Sequence, residues 1–332
     1  VSGRLDLRRG RVVSAAPLVV EIDGAQRAAW ADEALLGPMR EGDEVVVNAA
    51  ALDLGLGSGG FDVVHVNLTR GLGGGVEGDA HVIKLNYTSL QHPVDPVEAE
   101  KPLQSNGKST RVAVLPLHGH LAPAAWGAAQ ARPGIRVGYV QTGGGALPGS
   151  LSRDVAELRE RELICGHITA ASAYGGEREA LSTVGALDAA ARALGWDAVL
   201  VGPGPGIIGS DTEYGHGGMA ALDSAHAALS LGLPTILSPR LSSGDRRERH
   251  RGLSHHTATV LELLLAPVTV AIPASATELV DSDRHQVKAL AVDLDGYAAS
   301  GLPTRTMGRP LADDPLFFEA PLAAGAFVAL PT

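Results

Sequence analysis

Arg111-Val112-Ala113-Val114-Leu115-Pro116-Leu117-His118-Gly119-His120-Leu121-Ala122-Pro123-Ala124-Ala125-Trp126-Gly127-Ala128-Ala129-Gln130-Ala131 passes from an apolar run of strand length, through His-Gly-His, into an alanine-rich run of helix length. The same succession repeats downstream. Candidate strands are Val112–Leu117, Val137–Gln141, Leu163–Ile168, Ala198–Val201, Thr235–Leu237 and Val268–Ile272. Between them lie the helix-like segments Ala122–Ala131, Arg153–Leu163, Ser182–Leu194, Met219–Leu231 and His255–Leu265. Regular β–α alternation implies right-handed crossovers and a mostly parallel open α/β sheet covered on both faces. Val287–Val292 and Ala326–Leu330 are expected to add edge strands. Asp313–Phe318, with two of the four phenylalanines, is expected to pack as a closing flap.

Upstream the pattern is different. Residues 1–100 read as short strands and turns: Arg11–Ile22 closed by Asp23-Gly24, Val45–Asn48 after Glu41-Gly42-Asp43, and Phe61–Asn67 after Gly55–Gly60. His81–Tyr87 alternates with period two, the mark of a half-buried strand. This spacing predicts a small N-terminal β-rich barrel or sandwich. Gln91–Thr110 is polar and proline-bearing and reads as a linker, so an α/β domain is expected over 108–332. A chain of 332 residues is long for one core, which agrees with two domains.

The formal charge of -10 argues against a general nucleic-acid binder, which needs a net basic face. The single cysteine, Cys165, excludes an internal disulfide framework and fits a reducing compartment. Val1-Ser2-Gly3-Arg4 lacks the apolar core of a signal peptide, and no apolar run reaches bilayer length. The expectation is a cytoplasmic protein without a membrane partner.

In an open α/β sheet, ligands bind outside the carboxyl ends of the strands. Those ends carry Leu117-His118-Gly119-His120, Thr142-Gly143-Gly144-Gly145, Tyr174-Gly175-Gly176-Glu177, the Gly202–Gly218 loop and the stretch Ser238–Thr257. Glycine, histidine and arginine therefore collect at one edge, whatever the order of the strands. The last stretch is the densest. Arg240, Arg246, Arg247, Arg249 and Arg251 fall within twelve residues, with His250, His255 and His256 at or just after their end. Guanidinium forks pair bidentately with carboxylate and phosphate, so a small anionic ligand is expected here. Arg240, Arg247, Arg249, His250 and Arg251 are the candidate ligand-binding side chains.

Gly202, Gly204, Gly206 and Gly209 could cradle the same anion with main-chain N–H groups, helped by the following helix. The loop matches neither the P-loop nor the dinucleotide fingerprint, and a turn needing glycine only for sterics is an equal reading. His255 and His256 read as the first turn of a helix with Ser254 as N-cap, which would keep the rings neutral and fit for proton transfer. Asp245 could orient an arginine fork or a histidine; it cannot do both well. His255, His256 and Asp245 are the candidate catalytic residues. His118 and His120 could form a metal site with His167, His216 or His250 and a carboxylate from Asp211, Glu213 or Asp245, although no ligand motif such as H-E-x-x-H is present. Cys165 reads as a buried, inert thiol.

Glu41–Asn48 with Leu52–Gly60, then His81–Thr88, the Gly202–Gly209 loop and Arg249–His256 together resemble an uncharacterised bacterial family, domain of unknown function 3866. The resemblance spans both domains and implies that they form one unit; it assigns no residue a role and no cofactor. The residues themselves point to binding of a phosphate- or carboxylate-bearing ligand at the strand-end loops, with hydrolysis or group transfer as the reaction class if the site is catalytic. Two alternatives stand beside this. One is a homo-oligomeric scaffold whose arginine stretch pairs with Asp281, Asp283, Asp313 and Asp314. The other is a metallohydrolase built on His118, His120 and a carboxylate.

Overall fold

The computed structural model describes residues 5–53, 60–72, 82–102, 110–210 and 212–330. The chain divides into two compact units between Asp95 and Pro96.

In the first unit, β1 (Leu7–Ala15), β2 (Leu18–Ile22), β3 (Ala25–Trp30), β4 (Glu44–Asn48) and β5 (Asp62–Asn67) close into a barrel in the order β1-β2-β3-β5-β4. β3 runs parallel to β5 and the antiparallel β1–β4 pair closes the ring. A single helical turn, α1 (Glu33–Leu36), joins β3 to β4, the connectivity seen in OB-type barrels. Alternation places Val12, Val20, Ile22, Val45, Val47 and Val64 inside. Gly10 is glycine because a Cβ there would meet Val20 at 2.5 Å. The buried Asp43 carboxylate is held by Asn67 Nδ2 at 2.9 Å, the Arg40 amide at 2.9 Å and the Arg70 guanidinium. A short helix, α2 (Ala50–Asp53), follows β4, and a small hairpin, β6 (Val82–Lys84) with β7 (His92–Val94), follows the barrel. The strand expected over His81–Tyr87 stops at Lys84, because Leu85 and Tyr87 take positive φ of 52° and 64°. His81, Gly55–Gly59, Ser105–Gly107 and Asp211 lie outside the described residues.

The second unit is an eight-stranded sheet: β8 (Arg111–Val114), β9 (Val137–Thr142), β10 (His167–Ala170), β11 (Arg178–Ala180), β12 (Ala198–Pro203), β13 (Thr235–Leu237), β16 (Thr269–Pro273) and β17 (Gln286–Leu290). A two-stranded hairpin, β14 (Leu241–Ser242) and β15 (Gly252–Leu253), lies between β13 and β16 in the chain. The sheet order is β11-β10-β9-β12-β8-β13-β16-β17, and every pair is parallel. Successive residues face opposite layers. Val112, Val114, Val199 and Val201 pack with α5 (Thr183–Arg192), α6 (Ala220–Ser230) and α7 (His255–Leu263). Ala113, Leu115, Ala198 and Leu200 pack with α3 (Leu121–Ala131), α4 (Arg153–Glu160), α8 (Leu294–Ala299) and α9 (Pro315–Ala329).

Two expectations are corrected. Ala326–Leu330 is not a strand, since α9 runs through to Ala329 and buries Val328 and Ala329. Asp313–Phe318 is no flap: it enters that helix, with Phe317 and Phe318 in the core. For Ala326–Leu330 the cause is that an all-apolar run has no polar face from which a period can be read. Asp313–Phe318 instead carries a helix start, with Asp314 before the helix and Pro315 in its first turn. Leu163–Ile168 is displaced as well. β10 begins at His167, after α4 has ended at Glu160 and Glu162 has turned through φ 56°.

From β8 the chain moves to β9 on one side; from β12 it moves to β13 on the other. The carboxyl ends of β8 and β12 therefore flank the switch in direction, where a crevice forms in such sheets.

Candidate functional site

The arginine stretch is a hairpin. β14 and β15 pair at its base, and the tip spans the residues between Ser242 and Gly252. Pairing at the base forces a division among the five arginines. Arg240, before β14, points inward and is 3% exposed, whereas Arg246, Arg247, Arg249 and Arg251 are exposed. Arg247 and Arg249, with Glu248, line an open hollow of about 540 Å³.

Asp245 settles which of its two roles it takes. Its carboxylate accepts from Arg247 Nε at 3.0 Å and Nη2 at 2.8 Å, from the Arg247 amide at 3.0 Å and from Arg240 Nη2 at 3.3 Å. Arg309 Nη2 stands 3.6 Å away. Burial alone would raise its pKa, but the Arg247 hydrogen bonds and the surrounding charge outweigh it and hold the carboxyl below the ordinary range. It orients arginines and no histidine. Asp314, fully buried, ties down the same hairpin, accepting from Ser242 Oγ at 2.8 Å, the Ser243 amide at 2.8 Å and Arg309 Nε at 3.0 Å. It is therefore committed within its own chain and is no partner for a second subunit.

Four imidazoles gather behind Arg240. Ser254 caps α7, accepting from the His256 amide, and its Oγ also meets His250 Nδ1 at 2.7 Å. That cap starts the helix at His255 and His256 and turns both rings toward the loop preceding α6. There His216 stacks on His256, centroids 3.6 Å apart and planes 8° from parallel. His250 and His255 lie 4.8 Å and 4.3 Å from the His256 ring. Burial, then the charges of His216 and Arg240, take His256 down to about 2. Burial, then Arg240 and Arg247, take His250 to about 3. His216 and His255 are also lowered, chiefly by burial, so all four rings are neutral at pH 7. Arg240 falls to about 10 through burial and Arg247, and stays cationic.

The neutral rings have defined lone pairs. The Glu213 carbonyl, 3.0 Å from His216 Nε2, can only accept, so Nε2 carries the proton and Nδ1 is bare. Among the described residues, His216 Nδ1, both ring nitrogens of His255 and Arg240 Nε are buried without a hydrogen-bond partner. Buried polar atoms are nearly always paired, so four in one place demand an explanation.

The other histidines are spent differently. His118 Nε2 meets Ser152 Oγ at 2.8 Å, while His120 Nδ1 meets Ser238 Oγ at 3.2 Å and its ring stands edge-on to Phe317. His167 stacks on Tyr139 and bonds Gln141 Oε1 at 3.2 Å. His118 and His120 lie two apart in sequence, but a 3-10 turn rather than extended chain follows β8 and gives them different neighbours. The Ser152–His118 pair is not a triad either. Asp154 stands 4.0 Å from Nε2, the nitrogen that Ser152 already uses, and Ser152 caps α4.

Each of the four loop glycines has a packing reason. A Cβ on Gly202 would meet the Leu115 carbonyl at 2.5 Å, and one on Gly204 would overlap the Gln141 amide. Gly206 takes φ 82°, and a Cβ on Gly209 would press on His216. The steric reading of this loop is sufficient.

The family model described as "Protein of unknown function (DUF3866)" matches residues 28–325, both units included. The chain belongs to the DUF3866 family. No curated protein and no solved structure matches it. In this DUF3866 member, sequence reasoning found Arg240, His250, His255 and His256 together because they are neighbours in the chain. It missed Arg309, and it assigned Asp314 to the arginine stretch of another copy, whereas both complete the ion network of this hairpin from more than fifty residues away.

Proposed function

We propose that the α/β unit binds a small anion, phosphate- or carboxylate-bearing, against the cluster of Arg240, His216, His250, His255 and His256. The observation that supports this is the convergence of Arg240 Nε and three ring nitrogens, all buried and unpartnered, beside a cation. An anionic oxygen would accept from Arg240 Nε and from the His255 N–H, charge-assisted bonds of the stronger kind. Within a catalytic cycle of hydrolysis or group transfer, Arg240 would neutralise developing charge. His255 is the better proton carrier of the two candidates, because a His256 taken down to about 2 is too weak a base near neutrality. The lone cysteine fits work in the reducing cytosol.

Thermal shifts with inorganic phosphate, pyrophosphate, acetate and citrate test the reading. Wild type should be stabilised by at least one of them, and Arg240→Lys and His255→Ala should lose that stabilisation. Equal shifts in all three proteins would remove the site.

A second reading rests on the exposed hairpin tip. Arg246, Arg249 and Arg251 could face the exposed Asp281 and Asp283 of another copy. Mass measurement at low and high salt, with charge reversal at Arg246, tests it; a monomer at both salts ends it.

A further inference from the structure

We propose that His216, His255 and His256 hold a divalent transition-metal ion of the zinc class, with an anion as the remaining ligand. Among the described residues this is the group of three whose ligand atoms all lie within 4.8 Å of one another. The nitrogens are of the right kind. His216 presents a bare Nδ1 while its Nε2–H is fixed by the Glu213 carbonyl, the arrangement that orients metal-bound histidines. His255 has both nitrogens unpartnered, so either can turn to an ion. His256 Nδ1 faces the same space as His216 Nδ1: a Cβ on Gly218 would lie 3.3 Å from the first and 3.0 Å from the second. Glycine at 218 keeps that space open.

The geometry also says what must move. Tetrahedral Zn–N bonds set neighbouring ligand nitrogens about 3.4 Å apart, so nitrogens up to 4.8 Å apart have to close by up to about 1.4 Å. A metal lies in the plane of each imidazole it binds, so the His216–His256 stack has to open. Arg240 Nη1, 3.3 Å from His256 Nδ1, has to release that lone pair. Once released, the guanidinium stands beside a dication held only by neutral rings. That excess of positive charge favours an anionic co-ligand, so ion and anion should strengthen each other reciprocally.

The ion does not depend on the anion reading, and the experiment separates them. Cobalt(II) and zinc(II) are titrated into chelator-treated full-length chain without phosphate, and the titration is repeated with inorganic phosphate present. The expected result is one ion per chain, with cobalt absorption of tetrahedral nitrogen ligation. His255→Ala and Gly218→Ala should each weaken binding by roughly tenfold or more. His255 has no partner to strand, and no positive φ is imposed at Gly218, so both variants should fold, as circular dichroism will check. Metal affinity unchanged in both variants, or no binding by wild type, overturns the inference. Metal binding without any response to phosphate leaves the ion and removes the anion.

Discussion

Removing the carboxylate of Asp245 should reveal how the hairpin is held. In Asp245→Ala, Arg240 keeps its charge, is 3% exposed and loses its counter-ion. Arg247, nearly half exposed along its side chain, can turn to water, and Arg309 retains Asp314 at 2.9 Å. The uncompensated charge is thus Arg240 alone, and breaking a buried pair in this way costs about 3–5 kcal/mol. For a unit of about 240 residues at roughly 2–4 °C per kcal/mol, the transition should fall by on the order of 10 °C. Calorimetry of the full chain measures it, following the transition in which Trp126 and Trp196 become exposed. Asp245→Asn keeps an acceptor for the Arg247 amide and should fall by less. The decisive comparison is the double variant Arg240→Met with Asp245→Leu, which removes both charges and should be more stable than Asp245→Ala. A double variant as unstable as the sum of the single ones would refute the charge argument and leave simple loss of packing.

Further outcomes follow from other parts of the molecule. His118 and His167 are pushed by burial to about 4 and about 3. Folded pKa values below the unfolded 6.5 mean that the unfolded chain binds more protons, so stability is intact above about pH 6.5 and lost on acidification toward pH 4 and 3. Each ring contributes up to about 1.4 kcal/mol per pH unit to that slope, and His167→Gln should flatten it in urea melts between pH 6 and 4. Gly325→Ala should destabilise the α/β unit by about 1–3 kcal/mol or more, because its Cβ would enter the Ala124 carbonyl where α9 crosses α3; a melt within 1 °C of wild type would contradict that crossing. Asp43→Ala should cost the barrel about 2 kcal/mol, since it leaves the buried Asn67 Nδ2 with only Met39 Sδ at 3.7 Å, and chemical denaturation will read it.

Alternation and composition were enough to determine that strands and helices alternate after Arg111, and hence that glycine, histidine and arginine gather at one edge. Parallel strands all point the same way, so their carboxyl ends share an edge regardless of order. The apolar Ala326–Leu330 was not legible, because burial on every side erases the polar face that reveals a period. Nor could local pattern decide whether Asp245 serves arginine or histidine, or which imidazoles meet. The tertiary structure decided both. His216 reaches His255 and His256 across some forty residues only because the loops after β12 and β13 leave adjacent parts of one sheet, with β8 alone between those strands. Asp245 chose arginine because three guanidinium groups converge there in space, one of them from a segment that the hairpin's own sequence does not contain.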